Sequence, residues 1–370
     1  MRVLQAIPTP CAPYSVMFSN DGTRLAAGCG EWYGETGGVL LARLASDERA
    51  FTPALDVTRR GLRGGRVSVA GVYFSADDRA LVAATRGSGL GPGPTLAVTV
   101  TGLALEVAAA WPALGPPPTG VMLFGDRVLV RHNAGALDQC VEVRSAAPKA
   151  SIRADDGRHP LTHSRMVVQH GRVITGGGGS RGLVEWRPET GVRPAGQSGV
   201  GLVSAPLVGG APAELVPVRA CARVTAIASV PGGERFLTGG LDGEIDRWSW
   251  GDALDQERLA IDDRAPVEAI PWEAPSAGVR TAAGRLTWTT YSPRSVVGLC
   301  HLCDHERWAS VDAGGQLRLW RGEATLGAWA LPIPGTPRSI AAHPVEPWIA
   351  VGIKQGGFAE TASTVLVLEC

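Results

Sequence analysis

The feature that most constrains the fold of this chain is a short pattern that returns seven times along its 370 residues. Each copy is an apolar run, a polar turn and a second apolar run, which predicts two strands joined by a tight connection. The copies lie at residues 14–28, 72–84, 121–131, 166–177, 226–240, 297–310 and 339–352. Such self-similarity predicts a repeat architecture, in which each unit buries its faces only against its neighbours.

After most copies, a glycine turn leads into a third apolar run. The clearest of these runs end in Trp186, Trp248 and Trp320. Residues 242–248, with an Asp-Gly turn before the tryptophan, resemble the strand and turn pattern of WD repeats. The resemblance covers almost the whole chain and is that of a degenerate WD40-like member, because Ser or Arg follows the tryptophan where WD repeats have Asp. It implies a hydrogen-bond network that joins Thr238, Asp242 and Trp248.

The pattern and the resemblance together predict an all-β fold, a seven-bladed β-propeller of four-stranded antiparallel blades. One such blade cannot cover both of its faces, so blades stack radially until the ring closes. This explains why residues 67–74 and 96–100 are almost continuously apolar, where a half-exposed strand would alternate. Seven copies in 370 residues leave about 53 residues for each copy, against roughly 40 to 45 in typical blades. The surplus is expected in loops.

The two ends of the chain are predicted to pair. Residues 364–368 form the last strand of the seventh copy, and residues 2–7 are an apolar run ahead of the first copy. Placing both in one sheet closes the ring and removes two exposed edges. The chain then forms one domain, 1–370, with blades near 11–65, 66–115, 116–161, 162–220, 221–294, 295–334, and 335–370 plus 1–10. Residues 261–293, with a strand-like run at 285–291, fit either an insertion in the fifth blade or a small eighth blade.

Charge and composition restrict the partners. The chain has 35 basic and 35 acidic side chains, so it lacks the broad positive field on which sequence-independent binding to nucleic acid or acidic membranes depends. Its uncharged stretches are broken by Gly and Pro, which argues against a transmembrane helix. The start lacks the apolar core of a secretory signal, and seven scattered cysteines favour a reducing cytoplasm. The near absence of lysine indicates a GC-rich, bacterial genome.

Metal binding and catalysis find little support in the sequence. Cys300 and Cys303, with His305 nearby, have a zinc-like spacing, but structural zinc needs four converging ligands and no second ligand pair follows. Successive side chains of a strand point to opposite faces, so two cysteines three positions apart diverge. The predicted innermost strands contain almost no His, Asp or Glu for acid–base chemistry. We therefore predict no metal, no cofactor and no enzymatic activity.

The connections between second and third strands are unusually long in the seventh, first, second, third and fourth copies. The repeat places them on one face of the ring, and loops held by a rigid scaffold carry most binding functions. We predict that this arc binds a partner, because interfaces favour aromatic anchors and arginine. Its predicted apolar anchors are Trp32, Tyr33 and Phe358, and its polar rim is Arg86, His132, Asn133, Arg181 and Lys354. Neutral length variation is the alternative interpretation of these loops.

The leading functional interpretation is a non-enzymatic scaffold or sensor that holds another protein or a peptide within a larger assembly. Analogy with bacterial proteins of this kind suggests a place beside an effector such as a protease, kinase or NTPase, in a conflict or antiviral defence system. The alternative is a propeller hydrolase or lyase with a metal-assisted site at the channel mouth, around His301, Asp304 and His305. We expect no nucleic-acid partner and no membrane partner.

Overall fold

The computed structural model describes the chain with gaps between residue 1 and residue 370. The described residues are 1–30, 37–53, 55, 67–87, 92–111, 118–124, 127–133, 139–145, 166–169, 172–176, 183–187, 214–219, 224–230, 235–249, 255–259, 261, 266–272, 293–355 and 363–370. Strands dominate these ranges. No helix within them has the length and apolar character needed to cross a bilayer.

The strands in these ranges form seven sheets, which we number along the chain. Strand β1 (Arg2–Thr9) comes first. The first sheet contains β2 (Ala12–Phe18), β3 (Arg24–Gly30), β4 (Gly37–Arg43) and β5 (Arg49–Pro53). The second contains β6 (Ser68–Phe74), β7 (Ala80–Arg86), β8 (Pro92–Thr101) and β9 (Ala104–Trp111). The third contains β10 (Pro118–Phe124), β11 (Arg127–Asn133) and β12 (Gln139–Ser145).

The remaining strands continue in the same order. The fourth sheet contains β13 (Met166–Gln169), β14 (Arg172–Gly176), β15 (Leu183–Arg187) and β16 (Glu214–Arg219). The fifth contains β17 (Val224–Ser229), β18 (Arg235–Gly240), β19 (Ile245–Ser249) and β20 (Asp255–Leu259). The sixth contains β21 (Val267–Ala269), β22 (Val296–His301), β23 (Arg307–Asp312), β24 (Gln316–Arg321) and β25 (Ala324–Ala330). The seventh contains β26 (Thr336–Ala342), β27 (Trp348–Lys354), β28 (Ser363–Glu369) and β1.

Apart from β21, neighbouring strands within a sheet are antiparallel, and the first two antiparallel strands of every sheet coincide with one copy of the sequence pattern. We call β2, β6, β10, β13, β17, β22 and β26 the first strands of their sheets. A tight turn joins each first strand to the second, and in three of the sheets one residue of this turn has positive φ. Gly22 takes φ 72°, and Asp78 and His305 take φ 57° and 60° at the same place in the second and sixth sheets. Short polar side chains tolerate this conformation better than branched ones. His305 thus occupies the turn position of Gly22, as the sequence predicts.

One strand departs from the predicted arrangement of four antiparallel strands. Strand β21 pairs in parallel with β25, at the outer edge of the sixth sheet. It lies within residues 261–293, for which the sequence left open an insertion in the fifth blade or a small eighth blade, and residues 267–269 pair with the sixth sheet. Ile270 follows β21 and packs into the buried cluster between the sixth and seventh sheets, which anchors the segment there. The strand-like run at 285–291 lies outside the described residues.

The first strands of the sheets lie innermost and pack side by side. Strand β10 contacts β6, β6 contacts β2, β2 contacts β26, and the series continues through β22 and β17 to β13. Both faces of the inner strands are therefore buried, as in β6, where every residue is buried. Apolar clusters fill the space between sheets, for example Val39, Leu41, Val72 and Leu96 between the first and second. This packing requires the nearly continuous apolar runs seen in the sequence.

The two ends of the chain pair in one sheet. Strand β1 is antiparallel to β28 over its whole length, from Arg2 opposite Glu369 to Thr9 opposite Ser363. An ion pair of 2.8 Å joins the side chains of Arg2 and Glu369. Residues 2–7 and 364–368 therefore lie side by side, as the sequence predicts. The pairing covers an edge of β28 that would otherwise present unpaired backbone groups.

Tryptophans on third strands anchor two of the sheets. The Nε1–H of Trp248 donates to Oγ1 of Thr238 at 2.9 Å, and that of Trp320 donates to Oγ of Ser310 at 3.0 Å. Both indoles are fully buried, so these bonds satisfy donors that water cannot reach. Asp242 instead accepts from the backbone N–H of Glu244 within its own turn. The implied network is therefore present as a Trp–Thr pair.

Candidate partner-binding face

The sheets share one end at which each first strand begins and each second strand finishes. The strand register shows this directly, because Ser68 lies opposite Arg86 and Thr336 lies opposite Lys354. Neighbouring sheets meet at this end as well, where Oγ of Ser339 donates to the backbone oxygen of Pro13 at 3.0 Å. We call this end the loop face, because the connections from second to third strands leave the sheets here.

Every described first strand except β13 is interrupted by a register shift at the loop face. One residue in each strand is left without a cross-strand partner, which is a β-bulge. The bulged residues are Tyr14, Ala70, Thr119, Thr225, Val297 and Arg338. Bulges re-aim side chains and often occur beside functional sites. They form a row of re-aimed residues where the inner strands start.

The bulged side chains differ in what they offer. Ala70 is buried, and so is Thr225, whose Oγ1 donates to the backbone oxygen of Val296 in the next sheet and of Gly239 in its own. Thr225 therefore stabilises the contact between sheets. Tyr14 and Arg338, by contrast, are partly exposed. Sequence analysis missed both, because a register shift depends on the neighbouring strand and leaves no local pattern.

The structure describes four of the eight predicted partner-binding residues. Arg86 ends β7, Lys354 ends β27, and His132 and Asn133 end β11, so all four lie at the loop face. Trp32, Tyr33, Arg181 and Phe358 lie outside the described residues.

Arg86 is more deeply placed than a rim residue. Its side chain is only 6% exposed, and its guanidinium carbon lies 5.3 Å from the ring centroid of Tyr14 in the first sheet. That distance is within the range of a cation–π contact. Arg86 therefore positions Tyr14 and links two sheets below the surface. Lys354 is half-buried at the same end of the seventh sheet.

Three side chains at the loop face carry buried polar atoms without a hydrogen-bond partner. They are Ser68 through Oγ, Arg338 through Nε and Gln355 through Nε2. Ser68 is fully buried and Gln355 is 8% exposed. Buried polar groups are almost always paired, so each such group calls for an explanation.

Charge is unevenly distributed over the loop face. In the described part of the seventh, first and second sheets, this end carries the cations Arg86, Arg338 and Lys354 and no Asp or Glu. In the fifth and sixth sheets, by contrast, Arg258 pairs with Asp246 at 3.0 Å and Arg318 lies 3.7 Å from Asp312. Burial raises the pKa of Asp312, although backbone hydrogen bonds and Arg318 oppose that rise.

The opposite end of the sheets is closed by contacts between turns. The backbone and side-chain N–H groups of Asn20 and the backbone N–H of Asp21 donate to the carboxylate of Asp78. Burial raises the pKa of Asp78 in spite of these bonds. His343 donates from Nε2 to the backbone oxygen of Gly22 at 2.9 Å, because its Nδ1 accepts two backbone N–H bonds. Burial lowers the pKa of His343. The polar groups of these turns are therefore occupied by structural hydrogen bonds.

Residues 300–305 contain both the zinc-like cysteines and the alternative metal-assisted site of His301, Asp304 and His305, and the structure does not place them to hold a metal ion together. Cys300 is buried in the apolar cluster between the sixth and seventh sheets, and burial raises the pKa of its thiol. Cys303 and His305 lie on the turn that follows, where Asp304 bonds to Arg307. No three His, Cys, Asp or Glu side chains in the described ranges are placed to hold a metal ion.

Comparisons with known proteins support the architecture. No family model matches the chain, and no curated protein matches it. Among solved structures, the β-propeller domain of Cps50 (Swd1) from Myceliophteria thermophila is similar over 99% of this chain and 98% of that domain, with a TM-score of 0.59 and 13% sequence identity. At this identity the likeness concerns the fold alone. The chain has a β-propeller fold.

Proposed function

We propose that this propeller is a non-enzymatic scaffold whose loop face binds a protein or peptide partner. One observation carries the proposal: the row of β-bulges turns Tyr14 and Arg338 partly outward, beside buried donors without acceptors. A rigid scaffold that presents re-aimed side chains at one end is suited to recognition. The similarity to a solved β-propeller domain supports the scaffold part of the proposal.

We further propose that the seven sheets are seven blades of a closed WD40-like ring, with the predicted blade boundaries except that residues 267–269 join the sixth blade. Two observations support this: the six contacts between successive inner strands, from β10 round to β13, and the pairing of β1 with β28. Closure between the third and fourth sheets belongs to the proposal. A closed ring has only short protected edges, which suits a chain that must hold its loops in fixed positions.

The proposed contact surface extends beyond the described residues. We keep Trp32, Tyr33 and Phe358 as apolar anchors and Arg181, His132 and Asn133 as polar contacts, because they end β11 or belong to the connections that follow second strands. Tyr14, with Arg86 packed against it, joins them as a further aromatic contact. Aromatic residues and arginine are the side chains that contribute most to interface energies.

The cellular setting rests on the sequence alone. We propose a cytoplasmic bacterial protein. We also propose that it has no nucleic-acid or membrane partner, because its basic and acidic side chains balance. A place beside an effector enzyme in a defence system is an extension by analogy.

Affinity purification from the native host, followed by mass spectrometry, tests the function. The wild-type chain should capture a specific protein, and the triple variant Tyr14→Ala, Trp32→Ala, Tyr33→Ala should lose it. Arg79→Ala is the matched control, because Arg79 is exposed on the turn between β6 and β7 at the opposite end. A partner that the triple variant still captures at wild-type yield would contradict the proposed face.

A further inference from the structure

We propose that the loop face recognises an acidic segment of its partner, with an Asp or Glu carboxylate bound by Arg338 and Gln355 of the seventh sheet. This rests on the proposed function and adds the chemistry of the ligand. The two residues belong to one hairpin, Arg338 at the bulge of β26 and Gln355 directly after β27. Both therefore lie at the loop-face end of the seventh sheet, which packs against the first sheet.

Arg338 is the cation best placed to receive a ligand. It is half-buried, its Nε is shielded from water, and that N–H has no acceptor. No ion pair joins it to any residue that the structure describes. A partly desolvated guanidinium without a carboxylate is costly, and a bidentate carboxylate is the ligand that its planar fork fits best.

Gln355 supplies an uncharged donor on the adjoining strand. Its side chain is 8% exposed, and its buried Nε2 lacks an acceptor. A buried amide donor without a partner destabilises the fold, whereas a methionine of similar size would avoid that cost. Ser68, in the second sheet, adds a third buried donor without an acceptor on the same face. Three unused donors at the same end of the sheets indicate a ligand that brings acceptors.

The distribution of charge selects an acidic ligand and its position. Arg338 lies at the loop face of the seventh sheet without an ion pair to any described residue, so this position attracts an acidic group. In the fifth and sixth sheets, Arg258 and Arg318 already have carboxylate neighbours within the chain. An acidic segment would therefore bind over Arg338, at the loop face of the seventh sheet.

Peptide selection on the full chain tests this inference. A random dodecapeptide phage library is panned on the immobilised wild-type protein, and enriched peptides are synthesised with a fluorescent label. Each is paired with a version in which Asp and Glu are replaced by Asn and Gln. Fluorescence anisotropy then measures their affinity for wild type, Arg338→Gln, Gln355→Met and the charge-matched control Arg79→Gln, in low and high salt.

The expected result is a shared acid among the enriched peptides. Arg338→Gln should weaken their binding tenfold or more, as loss of a charge-assisted hydrogen bond predicts, and Arg79→Gln should not change it. The peptide with Asn and Gln in place of Asp and Glu should bind wild type and Arg338→Gln with similar affinity, because the peptide carboxylate and the Arg338 guanidinium contact each other. Gln355→Met should weaken binding without lowering the melting temperature, which separates a ligand contact from a folding defect.

Two results overturn the inference in different ways. Peptides that lack a common acid but lose binding to Tyr14→Ala would refute the acidic ligand and leave the proposed function standing. Peptides that bind Tyr14→Ala and Arg338→Gln as well as wild type, or a selection that enriches nothing, would contradict both the ligand class and the face.

Discussion

Acidification should destabilise this protein through one buried histidine, His301. It ends β22, is 4% exposed, and neither ring nitrogen has a hydrogen-bond partner. Burial lowers its pKa to about 4; repulsion from His305 adds to this, and attraction to Asp304 opposes it. The imidazole is therefore neutral in the folded protein at pH 7. In the unfolded chain the pKa returns to roughly 6.5.

The magnitude follows from the difference between the two pKa values. The folded state binds the proton more weakly, so the stabilisation is complete above roughly pH 6.5 and is lost as the pH falls towards 4. A difference of about 2.5 units at 1.36 kcal/mol per unit amounts to about 3 kcal/mol. That is a large part of the roughly 5 to 15 kcal/mol by which folded proteins are stable.

Urea unfolding at pH 7.5, 6.5, 5.5 and 4.5, followed by tryptophan fluorescence, measures this loss. Wild type should lose about 2.5 kcal/mol more than His301→Leu over that range. His301→Gln is the matched variant, because it keeps a polar group and removes the titration. It should be less stable than His301→Leu at every pH and should share its flatter pH dependence. If wild type and His301→Leu lose stability in parallel, the reasoning is refuted.

Three further predictions concern single contacts. Gln355→Met removes an unsatisfied buried donor, so the free energy of unfolding in urea should rise by about 1 kcal/mol; a fall would show that Nε2 has a partner in the fold. Ser310→Ala removes the hydrogen-bond acceptor of the fully buried Trp320 indole, so the free energy of unfolding in urea should fall by about 1 to 3 kcal/mol. Ser46→Ala is the partly exposed control. An unchanged free energy of unfolding for Ser310→Ala would contradict the bond. Deleting residues 1–10 exposes the edge of β28, so the melting temperature should fall and size-exclusion chromatography should show association; an unaltered monomer would contradict this role of β1.

Much of the fold was predictable because it is repetitive. The same apolar–polar–apolar pattern had to serve each pair of inner strands, and its seven occurrences lie on the first two strands of the seven sheets. The turn position of His305 was predictable for the same reason, since it aligns with Gly22. The pairing of the two ends followed from an apolar run that had no partner near it in sequence.

What sequence reasoning missed depends on contacts between distant segments. The bulges at Tyr14 and Arg338 arise from strand register, which the adjoining strand sets. Strand β21 joins the sixth sheet because Ile270 is buried there, and no pattern in the neighbouring sequence indicates which sheet it joins. Arg86 was expected at the rim because arginine is usually exposed. It is instead only 6% exposed and packs against the ring of Tyr14.

The most direct test of the closed ring is hydrogen exchange of β1, measured by mass spectrometry on the intact chain. If β1 completes the seventh sheet, the amides of residues 2–9 that face β28 should exchange as slowly as those of β27, because both strands belong to one cooperative unit. The alternate amides on the outer edge of β1 should exchange faster. Exchange of residues 2–9 at the rate of an unstructured peptide, while β27 stays protected, would contradict the account.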